Sequence, residues 1–255
     1  MKILKRLCVL TLCVLSSCAY NAVEREAPTG CPLTIENVYA SPLYDYTKLV
    51  NVLLLPIDNP MDIEEFDLHN EALRLSVLRN FGKYHYFNLF YDQHIGDRVG
   101  ELIDLDTGMM NTIKIGALGD EMNVQAVLKL SISEFRSFVP MRMHVKAVLV
   151  DSATGERIWA LDHVFDGDDA NTINGMRIWW NTDVAGGDPR NRFDQALLRP
   201  GVFMNYVFHE MSHSYGAARI ANACAIQALE EAQALEEAQA MEREEKEKAK
   251  QRANR

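Results

Sequence analysis

The chain has 255 residues, of which 24% are charged, and a formal net charge of −10. That balance argues against holding nucleic acid or anionic lipid through bulk charge. The central part of the chain, of the order of 150 residues, is ample for one domain with its own core.

The amino terminus reads MKILKRLCVLTLCVLSSC. Lys2, Lys5 and Arg6 form a positive n-region, and residues 7–15 form an apolar run too short to span a bilayer. Leu15-Ser16-Ser17-Cys18 matches a bacterial lipobox, in which the Cys is acylated and becomes the first mature residue. Residues 1–17 are therefore expected to be a lipoprotein signal peptide, and Cys18 the palmitate-bearing attachment to a lipid bilayer. Ala19 follows, not Asp; by resemblance to enterobacterial sorting rules this implies an outer-membrane lipoprotein that faces the periplasm. Cleavage removes the three basic residues and takes the net charge from −10 to about −13. No later run is long and apolar enough to span. Of the five cysteines, Cys8 and Cys13 leave with the signal and Cys18 carries lipid, so Cys31 and Cys224 are the candidates for a disulfide in an oxidising periplasm.

Residues 18–47 contain Pro28, Gly30, Pro32 and Pro42 without a clear period and read as a tether. The domain is placed at 48–226. Its first element, Leu49-Val-Asn-Val-Leu-Leu-Leu-Pro56, is almost continuously apolar, as suits a central strand covered on both faces. Asn59-Pro60-Met61-Asp62 predicts a helix start with Asn59 as N-cap. Phe66, Leu73, Val77 and Phe81 recur at helical spacing up to Gly82, a C-terminal stop. Residues 84–91 are aromatic-rich and predict a second strand. A weaker segment over 98–105 precedes a helix over 112–123.

Residues 124–166 carry the clearest pattern. Val124, Ala126, Leu128, Leu130 and Ile132 alternate with Gln125, Val127, Lys129, Ser131 and Ser133, the period of a strand with one buried face. After Pro140, Met141, Met143, Val145, Ala147 and Leu149 alternate with Arg142, His144 and Lys146. Gly155 closes a short hairpin loop, and the third strand returns with Trp159, Leu161 and Phe165 on one face. The predicted order is β-α-β-α-β-β-β, an α/β domain with a mixed β-sheet and helices packed on it.

The stretches IKIGALGDEMNVQAVLKLSI and VLVDSATGERIW resemble a group of bacterial envelope lipoproteins. The group includes the amino-terminal domain of the TolB translocation protein, the curli-secretion lipoprotein and the lipoprotein activators of penicillin-binding proteins. The resemblance covers roughly residues 48–166 and implies the fold more than any one role. It implies a non-enzymatic scaffold or accessory factor that binds another envelope protein in assembly, transport or wall synthesis, with homo-oligomerisation open.

Beyond Asp166 the sequence reads as an irregular insertion over 166–200, with a short helix over 172–181 whose Trp179 and Trp180 either form an exposed contact patch or, as is commoner for such residues, pack the helix onto the domain. Asp166, Asp168 and Asp169 lack the spacing and closing Glu of a calcium loop. From Gly201 the chain is expected to be helical to its end. QALEEAQALEEAQAMERE repeats every six residues, so Leu229, Leu235 and Met241 step round the helix and form no coiled-coil seam. Residues 227–255 read as a charged helical tail, with Glu242–Lys246 and Glu244–Lys248 as i, i+4 pairs.

One motif carries possible chemistry. His209-Glu210-Met211-Ser212-His213 is an H-E-x-x-H match. On a helix both imidazoles share a face and are able to hold Zn²⁺ while the Glu acts on bound water. The alternative function is thus a zinc-dependent peptidase with His209 and His213 as metal ligands and Glu210 as catalytic base. A third ligand of the metzincin kind requires His where Arg219 stands; Glu230 and Glu231 lie about 25 Å along a continuous helix. A distant residue such as His163, Asp166 or Asp183 is able to supply that ligand by folding back. The preferred expectation is no cofactor and no catalytic residue, with the helix packed through Phe203, Tyr206 and Val207.

Overall fold

The computed structural model describes residues 35, 37–98, 102, 110–184 and 192–253. The expected signal peptide over 1–17, Cys18, Cys31, the 186–191 loop and most of the 98–105 segment lie outside them.

The described chain forms a mixed α/β fold. Its strands are β1 (Val38–Ala40), β2 (Asn51–Leu54), β3 (Asn88–Tyr91), β4 (Ala126–Arg136), β5 (Arg142–Asp151) and β6 (Arg157–Asp166). They make one six-stranded sheet in the order β1-β6-β5-β4-β2-β3. β2 runs parallel to β3 and β4, and the meander β4-β5-β6 and the edge strand β1 are antiparallel. The helices are α1 (Glu64–Lys83), α2 (Thr112–Met122), α3 (Ala170–Trp179), the single turn α4 (Phe193–Ala196) and α5 (Pro200–Ala253).

The meander follows its alternation closely. Leu128, Leu130, Ile132, Met143, Val145, Ala147, Leu149, Trp159, Leu161 and Phe165 are all buried on the face covered by α1 and α5. At the hairpin, Asp151 accepts hydrogen bonds from the Ala153 and Thr154 amides through Oδ1, and Gly155 takes a positive φ of 72°. β2 is apolar on both sides for the expected reason. Val52 and Leu54 join the main core, whereas Leu53 and Leu55 face the other way and pack with Ile115, Leu118 and Val127 under α2. Val124 belongs to this second core, because it precedes β4 and does not share the strand's phase. Gly116 and Gly119 bring α2 against the start of the β5–β6 hairpin. A Cβ at Gly119 would stand 2.7 Å from the side chain of Ser152, whose Oγ donates to the Val124 carbonyl at 2.6 Å.

Three boundaries differ from the sequence reading. Asn59 does not cap the helix. Its Oδ1 accepts from the Ile63 amide at 3.0 Å and closes a turn in which Asp62 has a φ of 51°, so α1 starts at Glu64. Gly82 lies inside α1, and it is His85, at a φ of 51°, that turns the chain. Strand β3 begins only at Asn88, because Tyr84, Tyr86 and Phe87 are drawn into contacts with α5. The sheet also takes in Val38–Ala40, and the core takes in Tyr46, ahead of residue 48. Three residues in a strand are too few to show a period.

The two ends of the sheet are distinct. α5 packs mainly on α1 and runs along β6, with Tyr206 against Phe165, Tyr215 against Trp159, and Asn222 Nδ2 donating to the Ser41 carbonyl at 2.9 Å. It then leaves the body at the hairpin end. Its continuation to Ala253 is an arm of about 45 Å at 1.5 Å per residue. Leu229, Leu235 and Met241 on this arm are 44, 60 and 64% exposed. Glu242, Glu244 and Lys248, which would complete the two expected i, i+4 pairs, lie outside the described side chains. Truncation after Ile226 is expected to move the melting temperature by less than about 2 °C; a fall beyond about 5 °C in a thermal scan would place the arm on the domain.

Candidate functional site

The H-E-x-x-H residues lie on the part of α5 that covers the sheet. Phe203, Tyr206, Val207, Met211 and Tyr215 form its buried face. Glu210 is on this face and His209 at its flank, each 8% exposed, while His213 is exposed. The two imidazole rings lie nearly parallel, with centroids 6.1 Å apart. His209 Nδ1 is 3.1 Å from the Tyr84 hydroxyl, and its ring lies against Trp179 with centroids 5.8 Å apart. The π-turn Trp180–Val184 that follows α3 brings in Asp183, whose Oδ1 accepts from Lys83 Nζ at 2.7 Å.

The electrostatics follow from this packing. Burial lowers the His209 pKa to about 4 against the opposing pull of Asp183, so the imidazole is neutral at pH 7. Burial, and then the Asp183 charge, raise Glu210 to about 7. Lys83 holds the Asp183 carboxyl below its usual range despite partial burial. His144 is differently placed: it sits on the open sheet face between Ser133 Oγ at 2.7 Å and Asp162 Oδ1 at 2.6 Å.

Of His163, Asp166 and Asp183, named above as examples of a distant third ligand, Asp183 is the one brought into the electrostatic field of His209. Asp166 instead pairs with Arg142 at 3.3 Å, and the His163 ring packs on Phe165. Among the described residues no group of three or more His, Cys, Asp and Glu side chains is arranged to hold a metal ion. Asp169 caps α3 by accepting from the Thr172 amide at 2.8 Å, and Asp166 accepts from the Asp168 amide, so the aspartates around 166–169 shape the turn. Trp179 and Trp180 are buried, as their packing onto the domain requires. Cys224 is exposed on α5, and its candidate partner Cys31 lies outside the described residues.

Sequence reasoning missed the aromatic nest beside the motif. Tyr215 touches Tyr46, Phe87, Tyr86 and Trp159, with ring centroids between 5.2 and 5.8 Å. Gly216 is what admits Tyr86: a side chain there would overlap the Tyr86 hydroxyl. Tyr84 and Tyr86 stack on one another at 5.5 Å, so the 84–87 segment serves as a wall for α5. The aromatic richness of that segment is the signal in the sequence, and by itself it predicts a strand.

No protein-family model matches the chain, and no curated protein matches it. Several solved structures are similar to it. The PelC dodecamer from Paraburkholderia phytofirmans is 10% identical, over 54% of this chain and 86% of that one, with a TM-score of 0.36. Lipoprotein GNA1162 from Neisseria meningitidis is 17% identical over 55% of this chain and 99% of that one, with a TM-score of 0.34. The LpoB C-terminal domain from Salmonella enterica is 18% identical over 45% and 81%, with a TM-score of 0.29. At these identities the likeness concerns the fold alone. Among the described residues no helix is long and apolar enough to cross a membrane.

Proposed function

We propose that the chain is an outer-membrane lipoprotein, acylated at Cys18, whose domain binds another envelope protein and has no catalytic centre of its own. The observation that carries this reading is the burial of His209 and Glu210. Two of the three residues that a zinc site would use, His209 and Glu210, are packed against the domain, with Tyr84 at one ring nitrogen of His209, and only His213 is exposed. A catalytic zinc site needs three protein ligands and an open fourth position. The lipobox supports the anchor, and the solvated arm of α5 supports a role in which the domain is presented to a partner.

Cys18→Ser is expected to abolish palmitate incorporation and to release the chain from the membrane fraction; unchanged labelling would refute the anchor. Cross-linking in native envelopes, followed by purification of the chain, is expected to yield a discrete protein adduct. Elemental analysis of the purified chain is expected to find zinc well below one equivalent. One equivalent, lost in His213→Ala, would reverse the assignment to a zinc peptidase with Glu210 as base.

A further inference from the structure

We infer that the tip formed by the β4–β5 turn and the start of α1 rests in the phospholipid leaflet that holds the anchor; this inference depends on the acylation of Cys18 proposed above. Phe138 and Val139 stand at the apex of the turn, 60 and 54% exposed. The turn is tied to α1 by Glu65, whose Oε2 accepts from the Ser137 amide at 3.0 Å and from its hydroxyl at 3.2 Å. Leu68, one turn further along α1, and Met61, in the turn leading into it, are 81 and 67% exposed. Phe138 and Val139 are neighbouring exposed apolar residues on a turn that Glu65 holds to α1, and such a pair marks a contact surface.

The path of the chain says what covers it. Val38 lies opposite Leu161, and Asp162 donates to the Asn37 carbonyl at 3.0 Å. Because β1 is antiparallel to β6, the chain ahead of Val38 runs towards Asp166, which lies at the same end as Arg142 and the β4–β5 turn. The described residues ahead of β1 therefore head towards this end of the sheet, and the stretch between Cys18 and Val38 is long enough to span at most about 70 Å when fully extended. The opposite end also exposes apolar side chains, Leu43 and Val50 among them. That end is where the charged α5 arm projects for about 45 Å, so a bilayer lying across it would meet the arm. Among the described residues, the Phe138 end carries no such projecting arm.

The chemistry of the tip fits a lipid interface. The Arg136 guanidinium lies 5.9 Å from the Phe138 ring centroid, so an aromatic wedge is flanked by a cation that reaches headgroup phosphates. Arg142 is paired with Glu134 and Asp166, and α1 opens with Glu64, Glu65 and Asp67. The tip has no excess of positive charge, and the contact is apolar and serves zwitterionic lipid.

The test uses the full-length acylated chain in phosphatidylcholine–phosphatidylethanolamine vesicles with lipids brominated along the acyl chain. Trp159, Trp179 and Trp180 are buried and give the background, read from the unsubstituted chain. In Phe138→Trp the added fluorescence is expected to fall at least about twofold with brominated lipid, and in Val50→Trp to stay unchanged. Equal quenching at the two positions would overturn the inference. Protection of position 138 together with a dimer in chemical cross-linking would overturn it in favour of a second copy. Absence of palmitate labelling in the unsubstituted chain would remove the anchor and this inference together. Labelling without quenching at 138 would remove this inference alone.

Discussion

Leu130→Ala is expected to lower stability by about 2–5 kcal/mol, read from the shift of the urea midpoint at unchanged slope. Leu130 is fully buried on β4, which has β5 on one side and β2 on the other. Its residue partner across the strands is Ala147, too small to fill the space that a truncated Leu130 would leave. The loss combines transfer of the side chain with the cavity that remains, because backbone on both sides limits collapse. Lys146→Ala, on the neighbouring strand and the opposite face, is the control. Its ammonium is half exposed and lies 3.5 Å from Asp162, so the expected loss is below about 1 kcal/mol. Similar midpoints for the two variants would mean that the sheet faces have been assigned the wrong way round.

The same strands explain how much of the fold was legible. Over β4, β5 and β6 one face is buried and the other is open, so composition alternates with the strand period and phase is visible in a single sequence. Where both faces are buried, as at Leu53 and Val127, alternation vanishes and only the length of the apolar run remains. Asn59 shows a different limit. An Asn before Pro serves a helix cap and a closed turn equally well, and its bond to the Ile63 amide selected the turn. The H-E-x-x-H residues were visible as a motif, and their environment was not. Tyr84 meets His209 across 125 positions of sequence, and nothing local to either residue announces the pairing. The Leu15–Cys18 match to a lipobox stands apart, since a motif of that kind is a property of the sequence and needs no fold to be recognised.

Glu210→Gln is expected to change how stability depends on pH, with a sign that follows from burial. In the unfolded chain a Glu titrates near 4.5, and in the fold Glu210 titrates at about 7. A raised pKa means that the protonated form is the one the fold favours. Its contribution is complete below about 4.5 and is lost as pH rises through about 7, after which the domain carries a buried carboxylate near Asp183. The shift corresponds to about 2–4 kcal/mol. His209 slopes the other way: its pKa falls from 6.5 to about 4, so its contribution is complete above 6.5 and is lost as pH falls through 4. That slope is common to both proteins and cancels in their difference. Gln cannot ionise and keeps the shape of the protonated acid. Relative to the unsubstituted chain, the variant should therefore gain about 2–4 kcal/mol between pH 4.5 and pH 8, measured by urea unfolding at each pH. Parallel pH profiles would mean that Glu210 reaches solvent in the folded domain. An open carboxylate beside His213 is what a hydrolytic zinc site requires, so that outcome would also weaken the packing role assigned to the motif.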